Sequence, residues 1–151
     1  MKIKNFEFKT IEELSGREMF CIERLRINTF VTEQKITLPE LDNIDLSAIH
    51  VYRLNEEKTN ALATCRIFQD EKGKWFLGRV AVDRATRGQK LGKKMLEAVH
   101  KYLKEEKGAS HLSCHAQQYV QKFYESLGYK TKGEVFQEAG IAHIMMTKNL
   151  G

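Results

Sequence analysis

The sequence predicts a mixed α/β domain, on three observations. Segments with strand patterning alternate with segments of helical periodicity along the whole chain. One strand segment, Trp75 to Val82, is almost continuously apolar, as in the middle of a sheet covered on both faces. A basic, glycine-containing turn follows it and opens an amphipathic helix, and open α/β sheets commonly bind ligands at that end of a strand.

Each element has its own signal. Ile3, Phe6 and Phe8 alternate with polar residues and read as a first strand, and Thr10-Ile-Glu-Glu13 reads as a capping box opening a helix. That helix is expected to run to about Phe30, because Leu14, Phe20 or Cys21, Leu25 and Phe30 recur at helical spacing. A polar loop with the only proline, Pro39, comes next. Ala48 to Leu54 and Ala61 to Phe68 form a hairpin about the turn Asn55 to Asn60, and Asp70 to Gly73 turns the chain into Trp75 to Val82. A helix from about Lys90 to Lys107 stops at Gly108, and a short strand covers Ser110 to His115. Val120, Phe123, Tyr124 and Leu127 share a helical face ended by Gly128, and strands at Tyr129 to Phe136 and Ile141 to Thr147 close the chain. The order is β-α-β-β-β-α-β-α-β-β, in a single domain over residues 1–151 without repeats or linkers.

The charge distribution narrows the function. The chain's net charge is +5, and residues 79 to 94 alone carry six Lys or Arg against Asp83. The remaining residues hold 19 basic and 19 acidic groups and cancel. Nucleic-acid binders spread cations over a face or an arm, whereas this excess is local and suits a compact polyanionic small molecule. Backbone N–H groups at a helix start lack intrahelical partners and lie at the positive end of the helix dipole, so the turn reads as a phosphate cradle. No apolar run approaches the length of a membrane span, so no membrane partner is expected. The N-terminal residues alternate where a signal peptide would be continuously apolar, so the expected location is cytoplasmic. Cys21, Cys65 and Cys114 are scattered and form no Cys-x-x-Cys pair, which argues for reduced core thiols and against a zinc site.

The segment Val82-x-x-x-x-Arg87-Gly88-Gln89-x-Leu91-Gly92 resembles the acetyl-CoA motif of GNAT superfamily N-acetyltransferases. Gln117 to Tyr129, with Phe123-Tyr124-Glu125-x-Leu127-Gly128-Tyr129, resembles the family's downstream helix-and-turn signature. Leu25-Arg26-x-x-x-Phe30-Val31-x-Glu33-Gln34 and Glu138-x-Gly140-Ile141-x-His143-Ile144-x-Met146 resemble the ElaA-like group. The resemblance spans the chain. It implies a mostly antiparallel sheet with a splayed central strand pair and helices on both faces. It also implies acetyl-CoA as co-substrate, a small-molecule or peptide amine as acceptor, direct transfer in a ternary complex, and a monomer or homodimer. Backbone at Val80, Ala81 and Val82 would pair with the pantetheine arm, and Arg87, Gly88, Gln89, Lys90, Leu91, Gly92 and Lys93 would hold the pyrophosphate. Gln117, Phe123 and Tyr124 would line the rest of the cofactor site. Three positions depart from the family's usual residues: Lys90 stands where Gly is common, with an ordinary helical φ expected, Arg84 stands where proline is common, and Gln117 stands where Asn is common.

Acetyl transfer needs a proton for the leaving thiolate and a neutral amine. The family places a phenol beside the cofactor sulfur, which assigns the first task to Tyr124; as the alternative, Tyr124 is a core aromatic. Lys74 to Val82 contains no Asp or Glu, so the carboxylate that many relatives carry on this strand is missing. A base must come from elsewhere, directly or through water, with Glu33 the first candidate and His143 and His115 next; a hydrogen-bonded histidine on a half-buried strand also has an ordinary structural explanation. That gap keeps a non-catalytic CoA sensor open as the alternative function. Arg79, odd in its apolar strand, reads as either a buried ion pair or an acceptor contact. The loop from Glu33 to Asp45 carries a net −3, which either attracts an amine or is simply solvated.

Overall fold

The computed structural model describes residues 1–151. The expected first strand is a hairpin, β1 (Lys2–Ile3) and β2 (Phe6–Lys9). Lys4 and Asn5 both take positive φ, 52° and 68°, which is what a two-residue turn matched to the twist of its strands requires. Thr10 and Glu13 do bond as expected, Glu13 Oε1 accepting from the Thr10 amide at 2.9 Å, but they close an isolated turn. The helix α1 (Gly16–Arg26) starts after Ser15. There Ser15 Oγ accepts from the Glu18 amide at 3.1 Å and Glu18 accepts from the Ser15 amide at 2.8 Å. The helix then passes Phe30 by widening into a π-helix, Ile27–Glu33, in which the Gln34 amide reaches back five residues to Thr29 O at 3.1 Å.

A short helix α2 (Ile44–Ser47) leads into β3 (Ile49–Leu54), β4 (Ala61–Gln69) and β5 (Trp75–Val82). Helix α3 (Leu91–Lys107), β6 (His111–Gln117), α4 (Gln121–Ser126), β7 (Lys130–Glu138) and β8 (Ile141–Asn149) complete the chain. The eight strands form one sheet in the order β1-β2-β3-β4-β5-β6-β8-β7. Every neighbouring pair is antiparallel except β5 and β6. One face is covered by α3, whose Leu91, Met95, Leu96, Val99 and Leu103 pack on Val51, Cys65, Ile67, Leu77, Leu112 and Met146. On the other face α1 sets Cys21 and Leu25 against Ala61 and Ala81. All three cysteines are free and buried.

Beyond that small apolar patch the α1 face is ionic. Arg26, 1% exposed, donates Nε to Glu40 Oε1 at 2.6 Å and its two terminal nitrogens to Asp45 at 2.8 and 3.1 Å. Arg66 grips Asp42 at 2.7 and 3.1 Å and reaches Asp45 at 3.0 Å. Arg79 donates to Glu40 O at 3.0 and 3.2 Å and lies 3.3 Å from the Glu40 carboxylate. The ion-pair reading of Arg79 therefore holds. The acidic loop's carboxylates are not free for an amine, because Glu40, Asp42 and Asp45 are bound by arginines that dock it on the sheet, with Asp42 still partly open to water. Burial, aided by a hydrogen bond toward Glu40, pushes the Glu23 carboxyl up to about 8. Glu23 Oε2 and Glu40 Oε2 are both buried without another partner, as a proton shared between two carboxyl groups would leave them.

A second buried titratable group lies on α3. His100 Nε2 is 2.6 Å from Tyr129 Oη, and burial, with a smaller push from Lys148, lowers its imidazole to about 4. A histidine held below its unfolded value of 6.5 adds stability that is complete above pH 6.5 and is lost as pH falls toward 4. The expected loss is about 2–3 kcal/mol. Glu23, raised, has the opposite slope, so the measurement is the difference between wild type and His100→Gln in urea unfolding at pH 7 and pH 4.5. The wild type should lose its advantage over the variant at the lower pH.

Candidate active site

The site is built on a fork between β5 and β6. These parallel strands pair only at Phe76 with Ser113 and Leu77 with Cys114, then part. A bulge in β5 accompanies the parting: Arg79 has φ 51° within the strand, and the register against β4 jumps from Gly78–Arg66 to Ala81–Thr64. Val80, Ala81 and Val82 therefore run along an unpaired edge, with Val80 and Val82 packed against the main core and Ala81 buried on the α1 side. An open edge of this kind accepts an extended chain as an added strand.

At the end of β5 the cradle takes shape. Asp83 Oδ1 accepts from the Ala85 amide at 3.2 Å and starts a single 3₁₀ turn, Arg84–Thr86. Gly88 follows with φ 100°, a conformation closed to residues with a Cβ, and open space lies where that Cβ would stand. Lys90 is not helical, contrary to the sequence expectation: it adopts the left-handed φ of 58° and ψ of 31°, and α3 begins at Leu91. That geometry is the physical reason glycine fits this position. The amides of Gly88, Lys90, Leu91, Gly92 and Lys93 donate to no group of the chain. Gly92 approaches Phe123 and Val82, its missing Cβ lying 3.5 Å from each. A lysine in left-handed geometry costs about 1 kcal/mol against glycine. Lys90→Gly is expected to raise the melting temperature by about 3 °C in a thermal scan.

Tyr124, 6% exposed, stands edge-on between Phe123 and Tyr129, with ring centroids 5.3 Å from each. Its hydroxyl makes no hydrogen bond within the chain, and burial raises its phenol well above the ordinary value, so it stays protonated at neutral pH. Glu33 and Gln34, at the end of the π-helix, reach across the fork's mouth. Glu33 pairs with Arg87 at 3.3 Å and Arg84 at 4.0 Å on the cradle side. Gln34 exchanges amide hydrogen bonds with Gln117 on β6, at 2.9 and 3.4 Å, and donates to Tyr119 Oη at 3.1 Å. His143 is buried on β8, its Nδ1 donating to Ile141 O at 2.7 Å, with Nε2 3.7 Å from Glu138. The structure thus groups Glu33, Arg87 and the cradle on one side and His143 with Glu138 on the other, with Tyr124 rooted in the α3-side core. Sequence reasoning missed the roles of Gln34 and Glu138, although both lie inside quoted motif segments; their spacing to Gln117 and His115 exists only in the folded sheet.

The chain belongs to the GNAT acetyltransferase family: the family's acetyltransferase (GNAT) domain profile matches residues 44–150. Among its relatives, the UPF0039 protein C11D3.02c of Schizosaccharomyces pombe is 33% identical over 96% of this chain and 97% of its own length. Protein ElaA of Escherichia coli is 29% identical over 91% of this chain and 92% of its own. The crystal structure of Escherichia coli ElaA superposes with a TM-score of 0.86 at 26% identity, covering 95% of this chain and 98% of that one. An acyl-CoA N-acyltransferase from Pseudomonas aeruginosa does so with a TM-score of 0.86 at 27% identity, with the same coverage. No helix here is long and apolar enough to cross a membrane.

Proposed function

We propose that this chain is a cytoplasmic, single-domain N-acetyltransferase over residues 1–151 that moves the acetyl group of acetyl-CoA directly to a primary amine of a small molecule or peptide. The observation that carries the reading is the set of undonated amides of Gly88 and of Lys90 to Lys93, lying at the end of a strand whose edge is open. In this reading those amides, with Arg87, Gln89 and Lys90, hold the pyrophosphate, and Val80, Ala81 and Val82 pair with the pantetheine arm. Phe123 packs beside the arm, and Gln117 reaches it once freed from Gln34. Tyr124 is the proton donor to the departing thiolate: a neutral phenol with an unused hydroxyl fits that task. Glu33, engaged by two arginines, acts at the cradle rim, and His143 acts from behind Glu138. An aminoglycoside 6'-N-acetyltransferase complexed with coenzyme A shares the fold at a TM-score of 0.67, its 14% identity carrying no acceptor preference.

The test has two arms. Acetyl-CoA at millimolar concentration should raise the melting temperature by mass action, and an unchanged value rejects the cradle. Thiol release should then appear with at least one of spermidine, tyramine, lysine, kanamycin or a free peptide N-terminus. Binding without release across that panel favours a sensor.

A further inference from the structure

We infer that His115, oriented by Glu138 and backed by His143, is the group that takes the proton from the attacking amine; this rests on the acetyltransferase reading above. His115 is the first β6 residue beyond Cys114, where β5 and β6 cease to pair. Leu112, Cys114 and Ala116 are buried in the α3-side core, so the alternation of a strand turns His115 to the opposite face. Its ring stands edge-on to Phe76, the β5 residue at the crotch of the fork, at 6.0 Å, and to Phe136 of β7 at 5.2 Å. Tyr124 lies in the α3-side core, so the two groups flank the fork from opposite faces, one suited to the thiol and the other to the incoming amine.

The tautomer follows from the partner. His115 Nδ1 is 2.9 Å from Glu138 Oε1, and a carboxylate only accepts, so Nδ1 carries the proton and Nε2 presents a bare lone pair. No group of the chain bonds that nitrogen. The second Glu138 oxygen lies 3.7 Å from His143 Nε2, whose ring is fixed by donation from Nδ1 to Ile141 O. A proton arriving at His115 thus meets a carboxylate that already accepts from Nδ1, with a second imidazole close beside it. The charged and titratable groups facing His115 include Glu138 from β7 and His143 from β8, with Lys132 of β7 in the same cross-strand row beyond Met145; on β5 the nearest in sequence to the crotch is Arg79, which is committed to Glu40. This arrangement supplies the base that the carboxylate-free strand Trp75–Val82 lacks.

The step balances. The amine nitrogen bonds the acetyl carbon as the C–S bond breaks, the amine's proton passes to His115 Nε2, and the thiolate takes the proton of Tyr124. Imidazolium and phenolate then return to rest by exchange with water.

The experiment is carbethoxylation of the full chain by diethyl pyrocarbonate, mapped by mass spectrometry with and without saturating acetyl-CoA. His115 should react readily and be protected at least fivefold, while exposed His111, at the far end of β6, is unaffected. Equal labelling of His115 in both conditions overturns the inference. Long-range proton–nitrogen spectra should show the His115 proton on Nδ1 and lose that preference in Glu138→Ala; a proton on Nε2 in the wild type also overturns it. In the amine panel His115→Gln should lower kcat at least 100-fold with KM for acetyl-CoA within twofold, and an unchanged kcat counts against it. An unchanged melting temperature with acetyl-CoA removes the whole reading, whereas a normal shift with an unprotected His115 removes this inference alone.

Discussion

Arg26→Ala is expected to destabilise the protein by about 3 kcal/mol, because it takes from two buried carboxylates their most buried cation and leaves Asp45 with Arg66 and Glu40 with Arg79 alone. Arg26 supplies four hydrogen bonds, to both Asp45 oxygens, to Glu40 Oε1 and to the Glu40 carbonyl. Asp45 and Glu40 are 5% and 8% exposed, so water cannot replace what is lost. The deficit should depend on pH with a definite sign. In the wild type, hydrogen bonds and attraction from Arg26 outweigh burial and hold the Asp45 carboxyl at about 2. A depressed carboxyl contributes stability that is present above its unfolded value and lost as pH falls through the folded one. The variant keeps only the weaker hold of Arg66 and the Asp42 amide on Asp45, so its deficit against wild type should be greatest near neutrality and shrink below pH 4. Urea unfolding of both proteins at pH 7 and pH 3.5 measures this, and a deficit that does not vary with pH would mean that side-chain packing dominates.

Tyr124→Phe should cost kcat about 100-fold or more while leaving acetyl-CoA affinity within about twofold. The hydroxyl has no partner in the chain, so its removal deprives no buried group of a hydrogen bond, and the ring contacts with Phe123 and Tyr129 survive. Stability should change by less than about 1 kcal/mol. Steady-state kinetics with an active amine, alongside calorimetric titration of acetyl-CoA, separates the outcomes. Parallel losses in turnover and affinity would reassign Tyr124 to packing.

Much of the fold was legible because its signals are local. The alternation in Ile49–Leu54 and Ala61–Gln69, the continuous apolar run of Trp75–Val82 and the stripe of α3 each declare an element without reference to the rest. The failures have local causes too. Thr10–Glu13 carries the same capping chemistry as Ser15–Glu18, and pattern alone does not say which turn continues. The Lys4–Asn5 turn lacks glycine, so one apolar alternation concealed two strands. At the site, the cradle could be read from glycines and cations, but the ties of Glu33 to Arg87 and of Gln34 to Gln117 join residues far apart in sequence. Arg79 was recognisable as an anomaly, and only the docking of the acidic loop decided its partner.

The stretch Ile27–Glu33 carries a consequence for how this molecule tolerates change. Its wide turns accommodate an extra residue between Arg26, anchored in the ion cluster, and Glu33 and Gln34, which bridge the cleft between Arg87 and Gln117. Deleting one residue there with the wide winding kept would rotate everything downstream by roughly a quarter turn about the axis, swinging both side chains away from Arg87 and Gln117; only a simultaneous return to ordinary winding would restore their phase. The number of residues in that span is thus a constraint separate from their chemistry, and a shortened chain could keep every side chain named here yet leave the cleft unbridged.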